Sequence, residues 1–155
     1  MEPRIETLDP KTLIGMRLPM TRATDRTREL WSTFMPRRAE VPNRIASSFW
    51  SVNVYALGGP PAPDTEFEKW AAVEVAPGTE PPEGMEMFEL AGGTYAVFTH
   101  HGPASAAPRT MQHIFGVWLP SSGRQLDTRP HFEVLPADYR PDDPEAEEEI
   151  WIPIR

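Results

Sequence analysis

The spacing of apolar residues predicts two strands, a helix and two further strands in the first half of the chain. Alternating or continuous apolar runs that are bounded by turn-forming residues are typical of strands. Between the two strand pairs, apolar side chains recur at helical spacing after a capping residue, Thr24 or Asp25. This helix is predicted to end at Pro36, because proline cannot donate a backbone hydrogen bond. The predicted strands are Arg4–Leu8, Thr12–Leu18, Ser48–Leu57 and Phe67–Val75.

The second half of the chain predicts the same order of elements. The turn at Ala91-Gly92-Gly93 predicts a hairpin between two strands. A helix follows, because apolar residues recur at i, i+3, i+4, i+7 and i+8 from Met111, and Pro120 is predicted to end it. The predicted strands are Met85–Leu90, Thr94–His100, His131–Leu135 and Glu149–Ile154.

The two halves also share sequence patterns, which predicts an internal duplication. LWSTFMP at 30–36 matches IFGVWLP 84 positions later, and WSV at 50–52 matches FEV 82 positions later. Leu8 and TL at 12–13 also match residues 82 positions on, and KWA at 69–71 matches IWI 81 positions on. The alternative is that two αβ segments share such a pattern by chance. We predict one α+β domain over 1–155, with repeats over 3–75 and 85–154, antiparallel sheets and two main helices.

Composition and charge narrow the classes of protein that fit. The chain has 155 residues and a net charge of −8, and no basic stripe that would indicate nucleic-acid binding. Six acidic residues lie between Asp142 and Glu149, which is predicted to be a solvated loop. The absence of cysteine excludes disulfides and thiolate metal sites. Neither a signal peptide nor a membrane-spanning segment is recognisable, so we expect a soluble cytoplasmic protein with no membrane partner.

The sequence resembles the GyrI-like small-molecule-binding domain, the effector-binding domain of AraC-type and MerR-type regulators. The resemblance lies in IFGVWLPSSGRQLDTRPHFEVL and the ending DPEAEEEIWIPI, and FEKWAAVEV and AGGTYAVFTHHG fit the same pattern. It implies two α/β modules around a central cleft that binds amphipathic, often cationic, organic molecules; the heme-binding SOUL proteins share this fold more distantly. Because the ligand domain takes up residues 1–155, we expect a stand-alone form, whose role in transcription would need a partner chain.

Glu133 is the first candidate for the ligand site. Strand alternation places it on the same face as His131 and Leu135. A carboxylate among apolar side chains is costly to desolvate without a partner, and an organic cation can be that partner. The resemblance implies a pocket glutamate in the same segment. The alternatives are an exposed strand residue or a pair with Arg129.

Aromatic and flexible apolar side chains are the second group of candidates. A cation over an aromatic face gains roughly 0.5–2 kcal/mol, and methionine adapts to varied ligand shapes. Trp50, Tyr95 and Trp118 are predicted to wall the cleft, although each could equally belong to the core. Glu74 is a weaker candidate, whose alternative is a solvent-facing charge. The further candidates are Met111, Phe115 and Trp31.

The histidines do not form a convincing metal site. His100 and His101 are adjacent, so they point to opposite faces of a strand, and His113 has Val117 rather than a ligand at i+4. His131 and Glu133 give only two ligands on one face. We therefore predict neither a metal nor a cofactor.

Three functions remain open. The first is capture of a small hydrophobic or cationic organic ligand, as a sensor or a sequestrant. The second is hydrolysis of a reactive or strained molecule, which the resemblance suggests for cyclopropane-containing compounds; without a nucleophile motif, Glu133 would be the general acid or base. The third, suggested by the family name, is inhibition of a partner protein such as gyrase.

Overall fold

Eight strands form one antiparallel sheet in the computed structural model, which describes residues 1–56 and 61–155. In chain order these strands are β1 (Arg4–Leu8), β2 (Lys11–Met20), β3 (Phe49–Tyr55), β4 (Phe67–Val75), β5 (Glu86–Leu90), β6 (Gly93–His101), β7 (His131–Leu135) and β8 (Glu147–Pro153). Across the sheet their order is β1-β6-β8-β7-β3-β4-β2-β5. The predicted α+β class with antiparallel pairing is confirmed, and the pairing extends over a single sheet. The predicted end of the third strand, Leu57, lies outside the described residues.

Two helical regions pack on one face of the sheet. The first begins after Asp25, whose Oδ1 accepts the Thr27 backbone N–H at 2.9 Å. The second region changes helix type three times along its length. The helical elements are α1 (Thr27–Phe34), a 3-10 helix (Met35–Glu40), a short 3-10 turn (Ala104–Ala106), α2 (Ala107–His113), a π-helical turn (Ile114–Trp118) and α3 (Leu119–Ser121).

Proline ends neither helical region, which corrects the prediction. Pro36 lies inside the 3-10 helix that follows α1, and Pro120 lies in the first turn of α3. Proline has no backbone N–H, so the hydrogen-bond pattern of the preceding helical segment cannot continue unchanged through it. Each proline therefore marks a change of helix type.

The hairpin predicted at Ala91-Gly92-Gly93 is absent from the sheet. β5 pairs with β2, whereas β6 pairs with β1 and β8. Two short connections, from β1 to β2 and from β5 to β6, instead join strands from opposite halves of the strand order. The connections lie against each other, because a Cβ on Gly92 would lie only 2.4 Å from the Leu8 carbonyl oxygen. A turn motif specifies only a local change of chain direction. The strand that pairs with β5 or β6 is determined by residues far away in the sequence.

The strand order has an approximate twofold symmetry. If β1, β2, β3 and β4 are exchanged with β5, β6, β7 and β8, respectively, and the order is then reversed, the same order results. The centre of this symmetry lies between β3 and β7, where Ser51 pairs with Glu133, 82 positions later. Ser51 also pairs with Ala71, and Glu133 with Ile150, so Ala71 corresponds to Ile150, 79 positions later. The offset of 81 that the sequence suggested for these two strands is therefore wrong. Lys69 corresponds to Glu148, as the same register requires.

The two faces of the sheet carry separate cores. On the helical face, one core surrounds α1 and another surrounds the second helical region. On the opposite face, the sheet curls around a core that no helix covers. β1 lies at one end of the strand order and β2 next to the other end, yet only two residues join them, a span of at most about 11 Å. This enclosed core contains Leu13, Trp50, Val52, Trp70, Ala72, Leu90, Tyr95, Val97, Phe132 and Trp151.

Among the residues described, no helix has the length and apolar character needed to span a membrane.

Candidate functional site

A cavity of roughly 1350 Å³ lies on the helical face, above the central strands and between the two helical cores. Because side chains alternate along a strand, every second residue of the central strands points into it. Its floor is formed by Ser51, Asn53 and Tyr55 of β3, and by His131, Glu133 and Leu135 of β7. Further lining residues come from α1, from α2 with the π-helical turn, and from β4 and β8.

Two carboxyl groups meet at the floor of the cavity. Glu133 pairs with Ile150 across β7 and β8, and Glu148 lies two residues before Ile150 on the same face. Long side chains reach such a diagonal neighbour. Glu148 is only 4% exposed, and burial, together with the neighbouring Glu133 carboxylate, raises the pKa of Glu148 to about 8. Glu148 is therefore mostly protonated at neutral pH.

Neither cavity carboxyl group has a protein cation as a direct partner. In the described part of the chain, no lysine, arginine or histidine nitrogen lies within 4.0 Å of Glu133 or Glu148. Tyr139 contacts this pair, and its pKa is raised by burial and by Glu148. The two carboxyl groups can thus bind a cation from a ligand or exchange a proton with it.

Uncharged aromatic rings line the wall beside these carboxyl groups. The His131 ring lies 5.0 Å from the Tyr55 ring and stacks on Phe115 at 6.0 Å. Burial lowers the pKa of His131 to about 4 and raises the pKa of Tyr55 to about 12, so both side chains are neutral at physiological pH. This wall offers aromatic faces to a ligand without a competing charge.

Four of the eight candidates from the sequence line this cavity: Glu133, Trp31, Met111 and Phe115. They come from four elements, β7, α1, α2 and the π-helical turn, so the fold brings them together. Met111 and Phe115 are four residues apart and share one helix face. Whether these residues bind a ligand stays a prediction.

Trp50 and Tyr95 lie on the other face of the sheet, which corrects their predicted place on the cleft wall. Trp50 is the neighbour of Ser51, and adjacent strand residues point to opposite faces. It stacks on Phe132 at 5.0 Å between ring centres. Tyr95 belongs to the same enclosed core and lies beneath the Arg129 guanidinium at 4.5 Å.

Trp118 and Glu74 also lie outside the cavity lining. Trp118 is three residues beyond Phe115, and the wider π-helical turn directs it into the core, where it packs edge-on against Phe98 at 5.2 Å. Glu74 forms an ion pair with Lys11 at 3.5 Å and is only partly exposed. The expectation that they contribute to the cleft is therefore corrected.

Sequence reasoning missed several polar residues of the cavity, among them Glu148, Tyr139 and Lys69. Glu148 is predicted to lie in a solvated acidic loop, but β8 begins at Glu147, and Glu148, Ile150 and Ile152 are buried on its cavity face. The alternation of Glu148, Ile150 and Ile152 was a usable signal for a buried strand face. Tyr139, in the loop after β7, gave no such signal, because a loop has no side-chain periodicity.

The buried histidine outside the cavity has a structural role. His100 Nδ1 lies 2.8 Å from Thr110 Oγ1 and its Nε2 lies 3.1 Å from the Pro103 carbonyl oxygen, so both ring nitrogens have partners. Among residues 1–56 and 61–155, no group of three or more His, Asp or Glu side chains is arranged to hold a metal ion.

Comparison with known proteins gives a consistent result. Residues 1–155 match the family described as GyrI-like small molecule binding domain. The transcriptional regulator BrlR of Pseudomonas aeruginosa is 30% identical over 155 residues, which are 99% of this chain and 56% of BrlR. The chain thus spans about half the length of this relative.

Solved structures share the fold at lower identity. A Staphylococcus aureus MU50 protein, described as a candidate for bacterial transcription regulation, is 19% identical with a TM-score of 0.74, over 100% of this chain and 99% of its own. The structure of SAV2435 bound to tetraphenylphosphonium is 17% identical with a TM-score of 0.69, over 100% of this chain and 94% of its own. At these identities the likeness shows the fold alone.

Proposed function

The chain belongs to the GyrI-like small molecule binding domain family, and we propose that it binds amphipathic organic cations in the cavity between its helical regions. One observation carries this proposal: the carboxyl pair of Glu133 and Glu148 lies at the floor of an aromatic cavity without a protein cation in contact, within the described residues. The SAV2435 complex with tetraphenylphosphonium supports the same class of ligand.

The energetics favour a cation with apolar groups. An ionised carboxylate in a largely apolar cavity is poorly solvated, and a ligand cation restores the lost interaction. Apolar substituents of the ligand gain roughly 25 cal/mol for each Å² removed from water. The rings of Tyr55 and Phe115 add cation–π attraction. An inorganic cation would obtain only the first of these three contributions.

We assign the chain the role of a ligand sensor or sequestrant. BrlR is a transcriptional regulator, and this chain corresponds to about half of it. A sensor would pass on ligand occupancy through a partner, whereas a sequestrant would act by binding alone. A DNA-binding partner chain and a cytoplasmic location stay predictions.

Isothermal titration calorimetry with tetraphenylphosphonium and neutral triphenylphosphine oxide tests the proposal. We expect Glu133→Gln to weaken tetraphenylphosphonium binding at least about tenfold, which corresponds to about 1.4 kcal/mol, and to change binding of the neutral compound less than twofold. Glu147→Gln is the matched control, because Glu147 lies on β8 but is exposed and outside the cavity lining. Equal binding of the cation by wild type and Glu133→Gln would contradict the proposal.

The raised pKa of Glu148 supports a second candidate function, hydrolysis of a strained small molecule. Glu148 holds a proton at neutral pH, and the Glu133 carboxyl group lies beside it. Glu148 could donate its proton to the leaving atom while Glu133 accepts a proton from the attacking water. Incubation with an activated cyclopropane and mass spectrometry would detect the addition of one water. Glu148→Gln should abolish this addition and retain binding; no addition by the wild type would exclude this activity for that substrate.

A further inference from the structure

Lys69 places a positive charge in the cavity, on the opposite side from the carboxyl pair. It lies on β4 and lines the cavity, and its Nζ donates a hydrogen bond to Thr27 Oγ1 at 3.2 Å. Within the described residues, no carboxylate oxygen lies within 4.0 Å of this ammonium group. The cavity therefore holds a carboxyl pair and an ammonium group without a direct ion pair, and the Lys69 charge acts at longer range on the pKa of Asp25 and of Glu148.

The sheet register places these groups on different strands, without a direct contact. Lys69 pairs with Asn53, which pairs with His131, so β4 and β7 lie on either side of β3. Strands that are two positions apart are separated by about 10 Å. Lys69 also occupies the position that corresponds to Glu148 in the other half of the chain. The duplicated fold thus presents opposite charges at equivalent positions.

The charged residues at the rim of the cavity follow the same division. Arg22 and Arg28 belong to the first half, together with the single acidic residue Asp25, and all three are exposed. Asp142, also exposed, belongs to the second half. The side of the cavity formed by the first half of the chain therefore carries mainly positive side chains, at Lys69 and at the rim. The side formed by the second half carries only acidic charged side chains, the carboxyl pair and Asp142.

We propose that the cavity is built for dipolar ligands: amphipathic molecules with a cationic group that Glu133 holds and an anionic group that Lys69 holds. This inference rests on the proposed function for its cationic half and adds Lys69 as the residue that determines specificity. A ligand with only a cationic group leaves Lys69 without an ionic partner, whereas a dipolar ligand satisfies both sides.

Two dyes with the same ring system test the inference. Rhodamine 123 is the methyl ester of rhodamine 110, so the ester carries only the cationic group and the free acid carries a carboxylate as well. We expect fluorescence anisotropy at neutral pH to show that the wild type binds rhodamine 110 about fivefold more tightly than rhodamine 123, which is typical of one additional partly exposed ion pair.

Variants at Lys69 assign the preference to its charge. Lys69→Met should bring the two affinities within twofold, Lys69→Arg should keep the preference, and Lys69→Glu should reverse it. Lys11→Met is the matched control, because it removes the same charge from a lysine that lies outside the cavity and pairs with Glu74. This variant should keep the fivefold preference, so a change in overall net charge would not explain the result.

The outcomes distinguish this inference from the proposed function. Tight binding of rhodamine 123 with no preference for rhodamine 110 in the wild type would overturn the dipolar inference and leave cation binding standing. Binding of neither dye, together with no binding of tetraphenylphosphonium, would overturn the proposed function itself. A preference that survives in Lys69→Glu would also overturn the inference, and thermal unfolding of each variant would show that it is folded.

Discussion

Glu133 lies directly opposite Ser51 on the two central strands, and the two residues occupy equivalent positions in the two halves of the chain. At the centre of the approximate symmetry, the first half of the chain therefore has a serine where the second half has a carboxylate. A duplication creates two equivalent positions, and the different side chains at these positions make the two sides of the cavity chemically different. The chemistry of the site thus depends on where the two halves differ.

The first prediction concerns the pH dependence of cation binding. The pKa of Glu148 is raised to about 8, so ionisation of Glu148 adds a negative charge to the cavity. Tetraphenylphosphonium binding should therefore strengthen as the pH rises from about 6 to about 8, by up to about tenfold for each pH unit, and level off above pH 8. Below pH 8 the bound cation should lower the pKa of Glu148 and release part of a proton.

Calorimetry in buffers with different ionisation enthalpies measures that proton directly. Glu148→Gln should bind tetraphenylphosphonium with nearly constant affinity over the same pH range and release no proton. An identical pH profile in wild type and Glu148→Gln would show that Glu148 is not the titrating group.

The same group should affect the stability of the ligand-free protein. A carboxyl group whose pKa is about 8 in the folded state, against 4.5 as the ordinary value, binds more protons when folded than when unfolded between these two pH values. The free energy of unfolding should therefore fall as the pH rises from about 4.5 to 8. Thermal unfolding should show a smaller fall for Glu148→Gln, and this variant should have the higher Tm at pH 9. A wild type that is more stable than Glu148→Gln at pH 9 would contradict this prediction.

His131 should act in the opposite direction on the acidic side. Burial lowers its pKa from 6.5 to about 4, so the folded state binds fewer protons than the unfolded state between these values. Stability should fall as the pH decreases from 6.5. His131→Phe keeps an aromatic ring against Tyr55 and Phe115 but removes the titration. Its Tm should fall less than that of the wild type between pH 6.5 and pH 5; equal losses would show that burial of His131 carries no such cost.

The sequence was sufficient for elements whose side-chain pattern is local. β4 was predicted with its observed bounds, because a Pro-rich stretch precedes its apolar residues and Ala76-Pro77-Gly78 follows them. The pairing of β5 and β6 could not be predicted in the same way. Their connection resembles a hairpin turn, but β5 pairs with β2 and β6 pairs with β1, which both belong to the first half of the chain. The information for that choice is spread over distant residues.

The candidate site shows the same limit at the level of single residues. Strand alternation correctly placed Glu133 on a shared face with His131, and the same rule places Trp50 on the opposite face, because Trp50 adjoins Ser51. The error at Trp50 was thus avoidable from the sequence. Lys69 was not predictable as a cavity residue, because its place above the floor depends on β4 lying next to β3.

Substitution of Trp50 should separate stability from binding. Trp50 is 6% exposed and stacks on Phe132 in the enclosed core, away from the cavity. Trp50→Leu should lower the free energy of unfolding by about 2–4 kcal/mol, because it leaves part of a packed volume empty. The folded variant should bind tetraphenylphosphonium within twofold of the wild type. Chemical denaturation measures the stability and calorimetry measures the affinity. A large loss of affinity with unchanged stability would contradict the assignment of Trp50 to the enclosed core and indicate that it lines the cavity.

Phe115 and Trp118 form the complementary pair, since they lie on one helical region but face different surroundings. Phe115 lines the cavity and stacks on His131, whereas Trp118 is buried against Phe98. Both belong to the π-helical turn, a feature that is often found at functional sites and that here sets the direction of the two side chains.

Phe115→Leu should therefore weaken tetraphenylphosphonium binding about fivefold, because the ligand loses an aromatic face, while the Tm changes by only about 2 °C. Trp118→Leu should instead lower the free energy of unfolding by about 2–4 kcal/mol and leave the affinity of the folded protein within twofold. Each variant serves as the control for the other. The opposite result, with affinity lost at Trp118 and stability lost at Phe115, would mean that the turn presents its other side to the ligand, and the assignment of the cavity wall would then be wrong.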